Sequence, residues 1–126
     1  MPVRLIGFLN RLPNVSFEDF DATWIQYGSL VSMLPAVKGG RIRYRQLHKD
    51  PHLSDRLGST SGTMGRTIAD YDGIAEWEAE TLEEITAVFA TDEYKKACFP
   101  LEAKFFDRPR MTVMTVSRVV EDFAAV

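Results

Sequence analysis

The chain has 126 residues, enough for one domain with a real core and little for a second. A 45% hydrophobic content excludes intrinsic disorder, and a net charge of −3 leaves no basic footprint for nucleic acid or an anionic membrane surface. The single cysteine, Cys98, excludes an internal disulfide and a Cys-rich zinc site.

Residues 3–11 read as a short strand ended by Pro13-Asn14. Arg4, Asn10 and Arg11 interrupt its apolar run, so it is too short for a signal h-region or a membrane span, and cytoplasm is the expected compartment. Ser16-Phe17-Glu18-Asp19 resembles a capping box, with Val15 and Phe20 at the staple positions. Phe17, Phe20, Trp24, Tyr27, Val31 and Leu34 then recur at three- and four-residue steps, which predicts a helix ending by Leu34, before Pro35.

Lys38-Gly39-Gly40 reads as a turn, and residues 41–48 as a strand. Alternation puts Ile42, Tyr44, Gln46 and His48 on one face and Arg41, Arg43 and Arg45 on the other. Residues 50–69 show no period and are expected to be a flexible lid. Gly58, Gly62 and Gly65 within it match neither a phosphate loop nor a dinucleotide fingerprint.

Residues 71–80 alternate again, with Gly73, Ala75, Trp77 and Ala79 opposite Ile74, Glu76, Glu78 and Glu80. Thr81-Leu82-Glu83-Glu84 is a full capping box opening a helix to about Ala90. Thr91 caps a second short helix through Cys98, and residues 110–123 are expected to close the chain as a strand. The order β-α-β-β-α-β predicts a single α+β domain over residues 1–126, with the antiparallel sheet of ferredoxin-like proteins. Such a sheet carries its helices on one side, so its other face is solvated or covered by a second copy.

Several local runs, in order, resemble the EthD domain family. They are Leu5 to Arg11 with Pro13 and residues 16–20, Trp24 with Leu30-Val31 and Leu34-Pro35, and Tyr44-Arg45-Gln46-Leu47-His48. Tyr71-Asp72-Gly73-Ile74-Ala75-Glu76, Glu93-Tyr94, Pro100-Leu101-Glu102 and Lys104-Phe105-Phe106-Asp107 complete the match over about residues 3–120. The resemblance implies a homodimeric α/β barrel with a pocket between sheet and helices. It also implies chemistry on aromatic polyketides without metal or organic cofactor, above all decarboxylation of anthrone-type acids, with cyclisation and dehydration as alternatives. A non-catalytic small-molecule-binding dimer is the rival from another class. The family often has a histidine on the first helix where Tyr27 stands here, and an acid where Leu101 stands.

His48 is the first candidate catalyst, because imidazole exchanges protons near neutrality, and Tyr27 the second. Either could equally be inert: His48 a half-wet strand end, Tyr27 a core residue with a satisfied hydroxyl. Tyr44 and Gln46 share the His48 face and are expected to orient a phenol or carboxylate. Trp24, Trp77, Phe8 and Phe106 are packing residues that could also wall a flat ligand. Asp72 and Glu102 are weaker candidates, with a turn bond and a local salt bridge as the plainer readings. His48 and His52 lie across a strand end and should not converge on a metal.

Overall fold

The structure, a computed structural model, describes residues 2–59 and 65–123. The elements are β1 (Val3–Leu9), α1 (Phe17–Ser32), α2 (Pro35–Lys38), β2 (Arg43–His48), α3 (Pro51–Gly58) and β3 (Gly73–Ala79). There follow α4 (Leu82–Ala90), α5 (Asp92–Ala97), α6 (Phe99–Glu102), a 3-10 turn at Arg108–Arg110 and β4 (Thr112–Val116). The sheet order is β2-β3-β1-β4 with every neighbour antiparallel, which is the ferredoxin-like arrangement.

The expected caps form. Ser16 Oγ accepts from the Asp19 amide at 3.1 Å, and Thr81 Oγ1 accepts from the Glu84 amide at 3.2 Å while donating to the Glu84 carboxylate at 3.1 Å. The apolar stripe of α1 buries Phe20, Trp24, Tyr27 and Val31 against the sheet face that bears Ala75, Trp77 and Ala79. Fully burying a large side chain such as Phe20 or Val31 stabilises by about 1.5–3 kcal/mol, so this stripe, rather than intrinsic helix propensity, holds α1 in place.

Three expectations are corrected. Residues 50–69 are not all loop, because Asp50 accepts from the Leu53 amide at 3.0 Å and Pro51 opens α3. Proline is favourable at a first helical position, where its missing N–H costs nothing, so Asp50-Pro51 starts a helix as well as ending a strand. Residues 60–64 of the expected lid lie outside the described residues. The last strand spans only Thr112–Val116, paired with Phe8 to Arg4 of β1. Pro35 and Pro100 likewise open the short helices α2 and α6 rather than merely ending their predecessors.

The sheet face turned away from α1 carries a registered pattern. Its rows read Arg43–Glu78–Arg4–Val116, Arg45–Glu76–Ile6–Met114 and Leu47–Ile74–Phe8–Thr112 across the four strands. Arg4 lies 3.1 Å from Glu76 and 2.8 Å from Glu78, and Arg45 lies 2.5 Å from Glu76. One end of this face is therefore an ion-pair ladder and the other is apolar. Among the described residues no helix is long and apolar enough to cross a membrane.

Candidate functional site

A cavity of about 560 Å³ opens between the helix-side face of the sheet and the α4–α6 segment. β1 contributes Leu5 and Leu9, β2 contributes Tyr44, and β3 contributes Ala75 and Trp77. Helix α1 sends in Tyr27. Lys95, Phe99 and Arg108 line it with exposed side chains and so form its rim. The walls are mostly apolar with a few convergent polar groups, the usual composition of a small-molecule site.

Those polar groups form one hydrogen-bonded chain. The Tyr27 and Tyr94 hydroxyls are 2.7 Å apart, Tyr94 donates to Glu102 Oε2 at 2.6 Å, and Arg108 donates to Glu102 Oε1 at 2.7 Å. Tyr27 and Tyr94 are each 3% exposed and Glu102 5%. Thr91 caps α5 and so points Tyr94 inward, while α6 delivers Glu102 from the other side. A buried carboxylate is expensive unless paired, and the Arg108 guanidinium supplies the partner. Burial, reinforced by the Tyr94 and Tyr44 rings, raises the Tyr27 hydroxyl well above the ordinary tyrosine range. Burial and the carboxylate acceptor do the same for Tyr94. Cys98, fully buried nearby, is pushed up to about 11 by burial and by Glu102, so it stays a thiol.

A second chain runs behind the cavity wall. Tyr44 accepts from Trp24 Nε1 at 3.2 Å and from Gln46 Nε2 at 3.0 Å. Gln46 Nε2 also donates to the Trp24 carbonyl at 2.8 Å, and Gln46 Oε1 faces His48 Nε2 at 2.7 Å. His48 Nδ1 lies 2.5 Å from Asp21, and its ring lies against Trp24 at 4.5 Å. Burial raises the Tyr44 hydroxyl above the ordinary range, and the bonds from Gln46 and Trp24 partly offset that rise.

The expected residues thus divide. Tyr27, Tyr44, Trp77, Phe106 and Glu102 line the cavity. His48, Gln46 and Trp24 stand behind its wall, with both His48 nitrogens engaged by Asp21 and Gln46. Phe8 is on the opposite sheet face, packed on Tyr71 at 5.1 Å. There it lines a second hollow of about 510 Å³ together with Leu47, Ile74 and a further edge of His48. Asp72 accepts from the Arg11 amide at 2.8 Å and pairs with its guanidinium at 2.5 Å, which staples β1 to the start of β3. Tyr94 and Arg108 were not expected in the site. Tyr94 stands in the Glu93-Tyr94 run of the family resemblance and Thr91 sets the phase of its helix, but neither aims it at Glu102, and no sequence signal marks Arg108. Among the described residues no group of three or more His, Cys, Asp or Glu side chains could hold a metal ion.

An antiparallel ferredoxin-like sheet, with a largely apolar cavity under its helices, defines a class of small α+β proteins. Within that class the EthD domain model matches residues 12–109, and this chain belongs to the EthD domain family. No curated protein matches the sequence. Among solved structures, an EthD family protein from Bacillus halodurans is similar at 18% identity and TM-score 0.57, over 94% of this chain and 100% of that one. A dimeric protein of unknown function from Bacteroides fragilis is similar at 16% identity and TM-score 0.61, over 93% and 96%. SnoaB, a cofactor-independent oxygenase from Streptomyces nogalater, is similar at 10% identity and TM-score 0.56, over 95% of each chain. At these identities the likeness shows the fold.

Proposed function

We propose that this chain is a cofactor-independent enzyme that acts on a hydroxylated aromatic acid of polyketide type and releases its carboxyl group as carbon dioxide. The observation that carries this reading is the unbroken chain from the cavity wall inward, Tyr27 to Tyr94 to Glu102, backed by Arg108. The rim cations Lys95 and Arg108 suit an anionic ligand, and the apolar walls suit its rings.

The chain moves a proton without any hydroxyl having to ionise alone. A ligand hydroxyl gives its proton to Tyr27 as Tyr27 passes its own to Tyr94 and Tyr94 to Glu102. The ring gains electron density, the carbon bearing the carboxylate takes a proton from solvent, carbon dioxide leaves while the C–C electron pair returns to the ring, and the proton on Glu102 passes back along the chain to the product hydroxyl. One proton is drawn from solvent overall. An apolar site favours this charge-dispersed transition state over the carboxylate ground state.

The fold class and the dimeric structural relative from Bacteroides fragilis support a homodimer paired through the sheet face that carries Phe8, Ile74 and Leu47. Removal of a hydroxyl proton also starts cyclisation and dehydration, so the same chain of hydroxyls supports those reactions on a related substrate. The test is incubation with a hydroxyanthrone carboxylic acid, following carbon dioxide and product by mass spectrometry. Tyr27→Phe is expected to lower the rate about 100-fold or more, the usual worth of a positioned acid–base group. His48→Ala, behind the wall, is expected to stay within about tenfold of native, because it touches Gln46 and Asp21 and not the cavity. Absence of carbon dioxide above background from the native protein would sink decarboxylation, and a cyclised or dehydrated product would install the alternative.

A further inference from the structure

We propose that the hollow of about 510 Å³ on the far side of the sheet is a second binding site, and that its ligand is a free amphipathic acid, one carboxylate head on an apolar body. The hollow shares no lining residue with the cavity between sheet and helices, and it stands independently of the function proposed for that cavity.

Its floor follows from strand register. Leu47, Ile74 and Phe8 stand side by side on β2, β3 and β1, and the Tyr71 ring lies 5.1 Å from that of Phe8. Alternation turns this row away from the face that α1 buries. Cover comes instead from α3 and the segment after it. Leu57 and Ile68 line the hollow, and Ile68 reaches within 3.7 Å of where a Gly58 Cβ would stand. Apolar walls drawn from sheet, helix and loop of one chain are the setting of a small-molecule site.

The polar lining says which molecule fits. Lys49, Ser54, Arg66 and Thr67 line the hollow, and among the described residues none of these side chains has a hydrogen-bond or ion-pair partner. Ammonium and guanidinium groups donate and never accept, and both hydroxyls can donate. The other end of the same sheet face is the opposite case, where Arg4, Arg43 and Arg45 are each matched by Glu76 or Glu78. The acids around Lys49 do not answer it. Asp21 is taken up by His48, Asp50 caps α3, and Asp55 and Asp70 border a neighbouring hollow with Lys49 but do not pair with it. Lys49 is half-buried, and water screens an anion beside a half-buried cation less than one on an open surface. A carboxylate head suits these cations and hydroxyls, and an apolar body suits Phe8, Ile74 and Leu57. A second copy of the chain laid over the same face is the rival occupant.

The test is titration of methyl-labelled protein with decanoate and with decanol, which has the same chain length and no charge, below their aggregation limits. Methyl groups of Ile68 and Ile74 report on the hollow, and those of Leu5 and Leu9 on the cavity. Decanoate is expected to shift Ile68 and Ile74 and to bind about tenfold more tightly than decanol, the worth of a charge-assisted hydrogen bond. The double variant Lys49→Met, Arg66→Gln should keep its melting temperature, because neither side chain has a partner to lose, and should bind acid and alcohol equally. Equal binding of the two by the native protein, or a preference that persists in the double variant, would overturn the anionic head. Shifts confined to Leu5 and Leu9 would overturn the site and place the acid in the cavity. Shifts of Ile68 and Ile74 on diluting the protein, with none on adding decanoate, would overturn it in favour of a second copy.

Discussion

Two hydrogen-bonded chains flank one cavity, and they differ in where they end. The inner chain runs from Tyr27 through Tyr94 to a carboxylate held by a rim arginine. The outer chain runs from Asp21 through His48 and Gln46 to the Tyr44 oxygen and stays behind the wall. The inner chain can pass a proton along its length because every link is a hydroxyl or a carboxylate. The outer one is interrupted by an amide, which holds position but does not titrate. His48, the residue type expected to be catalytic, thus stands in the chain with the amide, and the chain of hydroxyls and a carboxylate contains no histidine.

The comparison breaks most directly at Glu102. Glu102→Gln keeps the shape but puts an amide that can donate where only a carboxylate accepted. It should lower turnover about 10²–10⁴-fold, whereas Asp21→Asn at the end of the outer chain should change it less than about tenfold. Steady-state kcat on the acid substrate measures both, and equal losses would erase the distinction.

Alkaline titration separates the chains next. Tyr27, Tyr94 and Tyr44 are all raised above the unfolded value of about 10. A tyrosine with a raised folded pKa keeps its proton in the native state after the unfolded chain has lost it. Its contribution is complete below about pH 10 and declines as pH rises toward the folded value, by about 1.4 kcal/mol per pH unit for each such group. Denaturant unfolding between pH 9 and 11 should show this steep loss, and Tyr27→Phe should flatten it by one proton, which proton release on unfolding measures.

Gly73 tests the packing that supports the outer chain. A Cβ there would meet the Trp24 ring at 2.4 Å. Gly73→Ala should cost about 1–3 kcal/mol in denaturant unfolding, because the fully buried indole is locked between helix and sheet. The smallest effect is expected on the far sheet face, where Arg45→Ala should leave the denaturant midpoint nearly unchanged, since that guanidinium side chain is 58% exposed and its pairing with Glu76 is screened by water. A larger loss that depends on protein concentration would show that the ladder is buried in a dimer.

The helices α1 and α4 were legible because their signals are local: a capping side chain, then an apolar stripe with a 3.6-residue period. The alternation of Tyr44 and Gln46 with Arg43 and Arg45 was legible for the same reason, since strand neighbours point to opposite faces whatever the partner. Helix α3 escaped because it buries no residue fully and Asp50-Pro51 marks strand ends as readily as helix starts. Within the site, Tyr27 and Tyr44 were legible as polar tips on apolar faces. Tyr94 and Arg108 were not, because their partner Glu102 belongs to a different element from either.

By itself the sequence determined the β-α-β-β-α-β order of the main elements, the alternating faces of β2 and β3 and the inward stripe of α1, and membership of the EthD domain family. Those properties depend on near neighbours along the chain. Only the tertiary structure decided that Tyr27 meets Tyr94 across 67 residues of sequence, and that Trp24 reaches Tyr44 across 20. A hydroxyl becomes donor or acceptor according to the group that occupies its other positions, and here those groups arrive from other elements. The direction of each hydrogen bond, and with it the chemistry the cavity offers, is therefore a property of the folded chain.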